Sequence, residues 1–139
     1  MRIKISKEND ELLYKLKTLY NFKNDGIVPR IAFSNSLLSG KIFDIENDII
    51  PSSDGKEFRD DKAIFGTVIG NGSNTIIFKS ILDQHYGRIT FEDEFIKLFK
   101  LHLNHGLKIW NESVENGEIT KGNHIDILLK PIKKGLTLR

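Results

Sequence analysis

The side chains able to do chemistry cluster first at the start of the chain, where Arg2, Lys4 and Ser6 alternate with Met1, Ile3 and Ile5. That alternation puts the polar set on one face of a short strand and the apolar set on the other. Lys7, Lys15, Lys17 and Lys23 extend the positive region beyond it. Ammonium and guanidinium groups suit phosphate oxygens, and such contacts give affinity that falls steeply with salt and carries no base preference. Taken singly, each lysine is ordinarily no more than part of a solvated face.

A second group is acidic: Asp44, Glu46, Asp48, Asp54, Glu57, Asp60 and Asp61. Gathered carboxylates can hold Mg²⁺ for phosphodiester cleavage. Here they show neither a paired-carboxylate spacing nor a lysine-terminated nuclease core, so solvation of a loop is the simpler account. His102 and His105 stand three apart, a spacing at which two imidazoles can share a metal. No third ligand accompanies them, and hydrogen-bonded, partly buried histidines beside Phe99 and Ile109 are expected instead. His85 and His124 stand alone. Gly70-Asn71-Gly72-Ser73 has the glycines of a phosphate-cradling loop without the Gly-Lys-Ser/Thr ending or the dinucleotide spacing, so a helix-capping turn is expected. No motif positions a serine for nucleophilic attack. No catalytic residue, metal ligand or cofactor is assigned.

Elements that position these groups follow from periodicity. After the strand, Ser6 can cap a helix over 7–20 in which Leu12, Leu13, Leu16, Leu19 and Tyr20 recur at helical spacing. Glu8, Asp10 and Glu11 place negative charge in its first turn, where the helix dipole favours it. Asn21 to Gly26 is turn chemistry, and Asn24 or Asp25 can cap a second helix running to Ser39, with Pro29 early, Gly40 closing it, and Ile27, Ile31, Ser34 and Leu38 on one face. An irregular acidic excursion follows, with a turn at Asp54-Gly55. Ser73 or Asn74 then caps a helix through Ile76, Ile77, Ile81 and Leu82, closed by Gly87. Thr90 with Asp93 resembles a shortened capping box opening a long helix from Phe91 to Asn116. Gly106 interrupts that helix, either as a weak point or as a place where another helix approaches closely. Ile125 to Leu129 reads as a further strand.

The chain of 139 residues is 39% hydrophobic and 29% charged, enough for one core and too short for two full-sized domains. The expected division is one domain over 1–139: a segment at 1–40, an acidic loop at 41–64, a helical segment at 65–118 and a basic tail at 119–139. Charge is segregated: +4 over residues 1 to 41, −5 over 42 to 61 and +3 over 62 to 139. No run is long and apolar enough for a bilayer, and the first residues lack an apolar signal core, so a soluble, cytoplasmic protein without membrane association is expected. Cysteine is absent, so these residues carry no persulfide and give no thiolate to a metal.

A basic-faced strand followed by two short helices is the layout of a ribbon-helix-helix protomer, in which strands of two chains pair and lie against DNA. A lone strand has an unsatisfied edge, so that reading demands a dimer. An ordinary edge strand with solvated lysines fits the same pattern. The fold class expected is mainly α, a short N-terminal strand followed by helices, as a ribbon-helix-helix-like protomer in a homo-oligomer.

The opening MRIKISKENDELLYKLKTLY, the stretch IVPRIAFSNSLLSG at 27–40, and DGKEF at 54–58 leading to IFG at 64–66 resemble the DndE family of the bacterial DNA phosphorothioation system. That system replaces a non-bridging phosphate oxygen of DNA with sulfur. The resemblance implies a homotetramer that binds double-stranded DNA, with a preference for nicked duplex, beside the DndC and DndD proteins and a cysteine desulfurase that supplies the sulfur. The resemblance also implies a component that is not catalytic for sulfur transfer. Carried onto this sequence, the DNA-binding residues are Lys4, Lys7, Lys15, Lys17 and Lys23, with Arg2 secondary, while Arg30 is a candidate for an oligomer interface. Two other readings compete: a Mg²⁺-dependent nickase using the acidic loop, and a ribbon-helix-helix transcriptional repressor.

Overall fold

The computed structural model describes residues 2–58, 62–66 and 74–117. The Gly70-Asn71-Gly72-Ser73 turn, Asp60 and Asp61, the proposed 125–129 strand, His124 and the tail lie outside the described residues. In chain order the elements are β1 (Ile3–Lys4), α1 (Lys7–Tyr20), α2 (Ile27–Leu38), β2 (Glu57–Phe58), α3 (Lys62–Phe65), α4 (Thr75–Tyr86) and α5 (Glu92–Glu115). The fold is thus mainly helical, with one small antiparallel sheet.

That sheet changes the expectation drawn from the first strand. β1 pairs with β2 of its own chain, Ile3 opposite Phe58 and Lys4 opposite Glu57, and the Ile5 amide continues the ladder by donating to the Lys56 carbonyl at 3.0 Å. An edge taken within the chain no longer demands a partner strand. Ile3 and Ile5 are buried and Arg2 and Lys4 exposed, as alternation requires, but Ser6 leaves the polar face. It is buried as the N-cap of α1, its hydroxyl accepting the Asn9 amide at 3.1 Å. The acidic excursion therefore contains a strand that its charge concealed.

α1 ends where Asn21 turns left-handed at φ 57°, a conformation asparagine tolerates better than most residues. α2 and α5 form the central helix pair. The closeness comes from small residues: a Cβ on Gly106 would lie 1.8 Å from the Ala32 carbonyl oxygen. Of the two expectations for Gly106, close helix approach is the one observed. The buried face of α2 is Val28, Pro29, Ala32, Phe33, Ser36 and Leu37, displaced from the expected Ile27, Ile31, Ser34 and Leu38, and Leu38 is exposed. α2 is apolar on more than one side, so Gly106 and the small Ala32 select the inward face, not residue hydrophobicity.

α4 shows the same ambiguity. Thr75 and Leu82 are buried and Phe78 and Tyr86 partly so, whereas Ile76, Ile77 and Ile81 remain 77%, 53% and 45% exposed. The aromatic stripe goes inward because it meets other rings: Phe78 lies tilted against Phe65 with centroids 4.9 Å apart and against Phe33 at 6.0 Å. Such ring contacts contribute beyond their buried area. α5 begins one residue later than the Thr90 box predicts. Thr90 bonds back to α4, its hydroxyl donating to Asp83 at 2.6 Å, while Glu94 accepts the Phe91 amide. Phe95, Leu98, Phe99, Leu103, Leu107 and Trp110 give α5 its buried face at spacings of three and four.

Candidate nucleic-acid interface

α1 distributes its lysines instead of aligning them. Lys15 and Lys17 are two residues apart, about 200° around a helix of 3.6 residues per turn, and therefore point to different sides. Lys15 leans toward the end of α5, where it meets Glu115 at 3.0 Å in a groove shared with Glu8, Glu11 and Glu112. Lys17 turns the other way and pairs with Asp25 in the connection before α2. Lys7 sits at the first turn with its side chain exposed, its backbone amide donating to Asp54 at 2.9 Å. Arg2, Lys4 and Lys23 are exposed too. Among the described residues, Arg2, Lys4, Lys7 and Lys23 have no side-chain ion pair, so their charges stay open to a ligand.

Lys56 joins this set, although the sequence reading passed over it in a segment counted as acidic. The ladder beside β1 fixes its backbone, and its ammonium reaches Asp25 at 2.7 Å and lies 5.1 Å from the Phe58 ring. Asp25 thus sits between two lysines, and the bonds from Lys17 and then Lys56 hold its carboxyl below the usual range. Arg30 is used internally: its Nε donates to the Gly26 carbonyl at 2.9 Å, and its guanidinium lies against Gly66.

Three carboxylates of the acidic loop are engaged in local hydrogen bonds. Asp44 accepts the Glu46 amide at 3.0 Å and Asp48 accepts the Asp44 amide at 2.6 Å, while Asp54 accepts Lys7 N–H and the Ser52 hydroxyl. These bonds lower the Asp44 and Asp54 carboxyls from their ordinary values. Among the described residues, no group of three His, Cys, Asp or Glu side chains is placed to hold a metal. Beneath this loop Lys100 is buried, donating to Ser53 Oγ at 2.6 Å, and burial pushes its ammonium pKa down.

His102, buried, and His105, partly buried, belong to one polar chain. Ser36 Oγ lies 2.7 Å from His102 Nδ1 and 2.8 Å from His105 Nδ1, and Tyr86 Oη lies 2.7 Å from His102 Nε2. Tyr86 Oη already accepts the Phe43 amide at 3.0 Å. One proton arrangement satisfies every group: Tyr86 donates to His102 Nε2, His102 Nδ1–H to Ser36, and Ser36 to His105. His85 does not stand alone, since its ring centroid is 5.5 Å from that of His102 and its Nε2 bonds the Lys41 carbonyl at 2.7 Å. Burial, reinforced by His85 and His105, pushes His102 down to about 3, so it is neutral at physiological pH. Ser36 is fully buried, which removes it from contact with a substrate. The hydroxyl and imidazoles tie α2, α4 and α5 together.

Among the described residues, no helix is long and apolar enough to cross a membrane. Nothing among curated proteins matches the chain. Its fold is similar to the crystal structure of DndE from Escherichia coli B7A involved in DNA phosphorothioation modification, with a TM-score of 0.59 and 22% identity over 76% of this chain and 93% of that one. The pattern of the family described as DNA sulphur modification protein DndE matches residues 2–117, the greater part of the sequence and every element described above. The chain therefore belongs to the DndE family of DNA sulphur modification proteins.

Proposed function

We propose that this protein is a DNA-binding component of the phosphorothioation system, holding double-stranded DNA by its backbone, with a preference for nicked duplex, and leaving sulfur transfer to others. Family membership supports the setting, and the exposed charges of Arg2, Lys4, Lys7 and Lys23, together with the Lys17 and Lys56 pair on Asp25, support the contact. Phosphate contacts of this kind position a protein on the duplex without reading sequence. A nick makes the backbone easier to bend against such a surface. Absence of cysteine is in keeping with sulfur carried by a partner, and the DndC and DndD proteins are the partners proposed.

A homo-oligomer, taken as a tetramer in the cytoplasm, accompanies this reading. The exposed Ile76, Ile77 and Ile81 on α4 support it, because a contiguous apolar face of this kind usually marks an interaction surface. The experiment that tests the proposal is a salt titration of binding to matched intact and singly nicked duplexes. Tighter binding to the nicked duplex with a steep salt slope supports it. Equal or salt-insensitive binding overturns it in favour of protein scaffolding.

A further inference from the structure

We infer that the groove between α1, β2 and the turn before α2 is a seat for one DNA backbone phosphate, and that the Asp25 carboxylate occupies this seat in the free protein. The inference rests on the DNA-binding reading above and adds a site to it.

Three observations carry the inference. First, Lys17 and Lys56 come from segments far apart in sequence yet converge on one carboxylate. Two ammoniums meeting at one tetrahedral or planar anion is the arrangement a phosphodiester needs, and a carboxylate is its nearest side-chain equivalent. Second, the groove is preformed. It encloses about 80 Å³, with Leu13 and Phe58 in its lining and Tyr14 at its edge, 73% exposed. The Lys56 ammonium lies over the Phe58 ring, and the turn holding Asp25 is fixed by the Asn24 side chain accepting the Gly26 amide at 2.7 Å. A Cβ on Gly26 would lie 2.5 Å from the Ala63 carbonyl oxygen, so this turn is packed against α3. Third, the Asp25 side chain itself is 48% exposed, and exposed ion pairs are weak enough to exchange partners.

Occupation by Asp25 has a consequence for binding. The carboxylate keeps two lysines pre-aimed but must yield them to a phosphate, which lowers affinity for every duplex and leaves the preference among duplexes to other contacts. Replacing its charge frees both ammoniums. Asp10 lines the same groove without an ion pair among the described residues, so it reports the effect of a negative charge alone.

The test compares full-length protein with Asp25→Asn, Asp10→Asn, Lys56→Gln and the Asp25→Asn/Lys17→Ala/Lys56→Ala combination, binding a short labelled duplex over a salt series. Expected are about threefold to tenfold tighter binding by Asp25→Asn at low salt and a slope steeper by about one unit. A smaller gain is expected for Asp10→Asn, weaker binding for Lys56→Gln, and loss of the Asp25→Asn gain in the combination. Thermal melts that stay within the folded range confirm that each variant is compared as a folded protein, and Lys56→Gln, on an open surface, tests the seat even if the Asp25 turn is disturbed. The inference is overturned if wild type binds DNA while Asp25→Asn gains nothing, gains no more than Asp10→Asn, or keeps its gain without the lysines. Absence of duplex binding by wild type at low salt overturns the DNA-binding reading, and the seat with it.

Discussion

The Ala32 carbonyl oxygen occupies the space in which any side chain on Gly106 would begin, 1.8 Å from an ideal Cβ. A carbon cannot share that distance with oxygen, so α2 and α5 must separate to admit even a methyl group. Gly106→Ala is expected to destabilise the protein by about 3 kcal/mol or more, despite alanine's better helix propensity. Urea unfolding measures this, and an unchanged or higher midpoint contradicts the contact.

Ser36 lies between two imidazoles, so its loss leaves the buried His102 Nδ1 and the partly buried His105 Nδ1 short of a partner. Ser36→Ala is expected to destabilise by roughly 1–3 kcal/mol, far more than a serine-to-alanine change on a helix surface. Comparison with Ser34→Ala on the same helix gives the reference value.

Acid acts on the same chain of bonds. His102 titrates near 6.5 when unfolded and is pushed down to about 3 when folded, so between those values the unfolded state binds the extra proton. Stability is therefore complete above about pH 6.5 and falls as the pH drops toward 3, by roughly 5 kcal/mol at most. Urea midpoints over this range, with the His102 ring followed by NMR, check the sign. A stability that rises on acidification would show that His102 is charged in the fold.

The two central lysines of α1 should differ in DNA binding. Lys17 shares its groove with Lys56, whereas Lys15 faces Glu115 among other carboxylates. Lys17→Ala is expected to weaken duplex binding several-fold and Lys15→Ala by less than twofold. Similar losses in both would place the DNA across α1 in a different way.

Charge on the open face of α4 should oppose self-association. Ile77→Lys is expected to lower the mass measured by light scattering without lowering the melting temperature of the protomer, because Ile77 is 53% exposed. An unchanged mass removes this face from the oligomer.

Local order was legible in the residues themselves. Ser6 before Leu12, Leu13 and Leu16 specifies both the start and the inward face of α1, because capping and a 3.6-residue period are short-range effects. Gly87, left-handed at φ 67°, closes α4 for an equally local reason. The exposure of Arg2 and Lys4 was legible in the same way, from strand alternation.

Long-range choices belonged to the tertiary structure. Two apolar stripes on α4 compete for the core, and rings from α2, α3 and α5 decide that Phe78, Leu82 and Tyr86 go inward while Ile76, Ile77 and Ile81 do not. β2 could not be read from an acidic segment, since a two-residue strand exists only through its partner. The Lys17, Asp25 and Lys56 grouping joins positions up to 39 residues apart. Sequence periodicity reports which way a side chain faces on its own element, whereas which charges become neighbours depends on how the elements pack. The close approach of Ala32 and Gly106 sets the α2–α5 part of that packing.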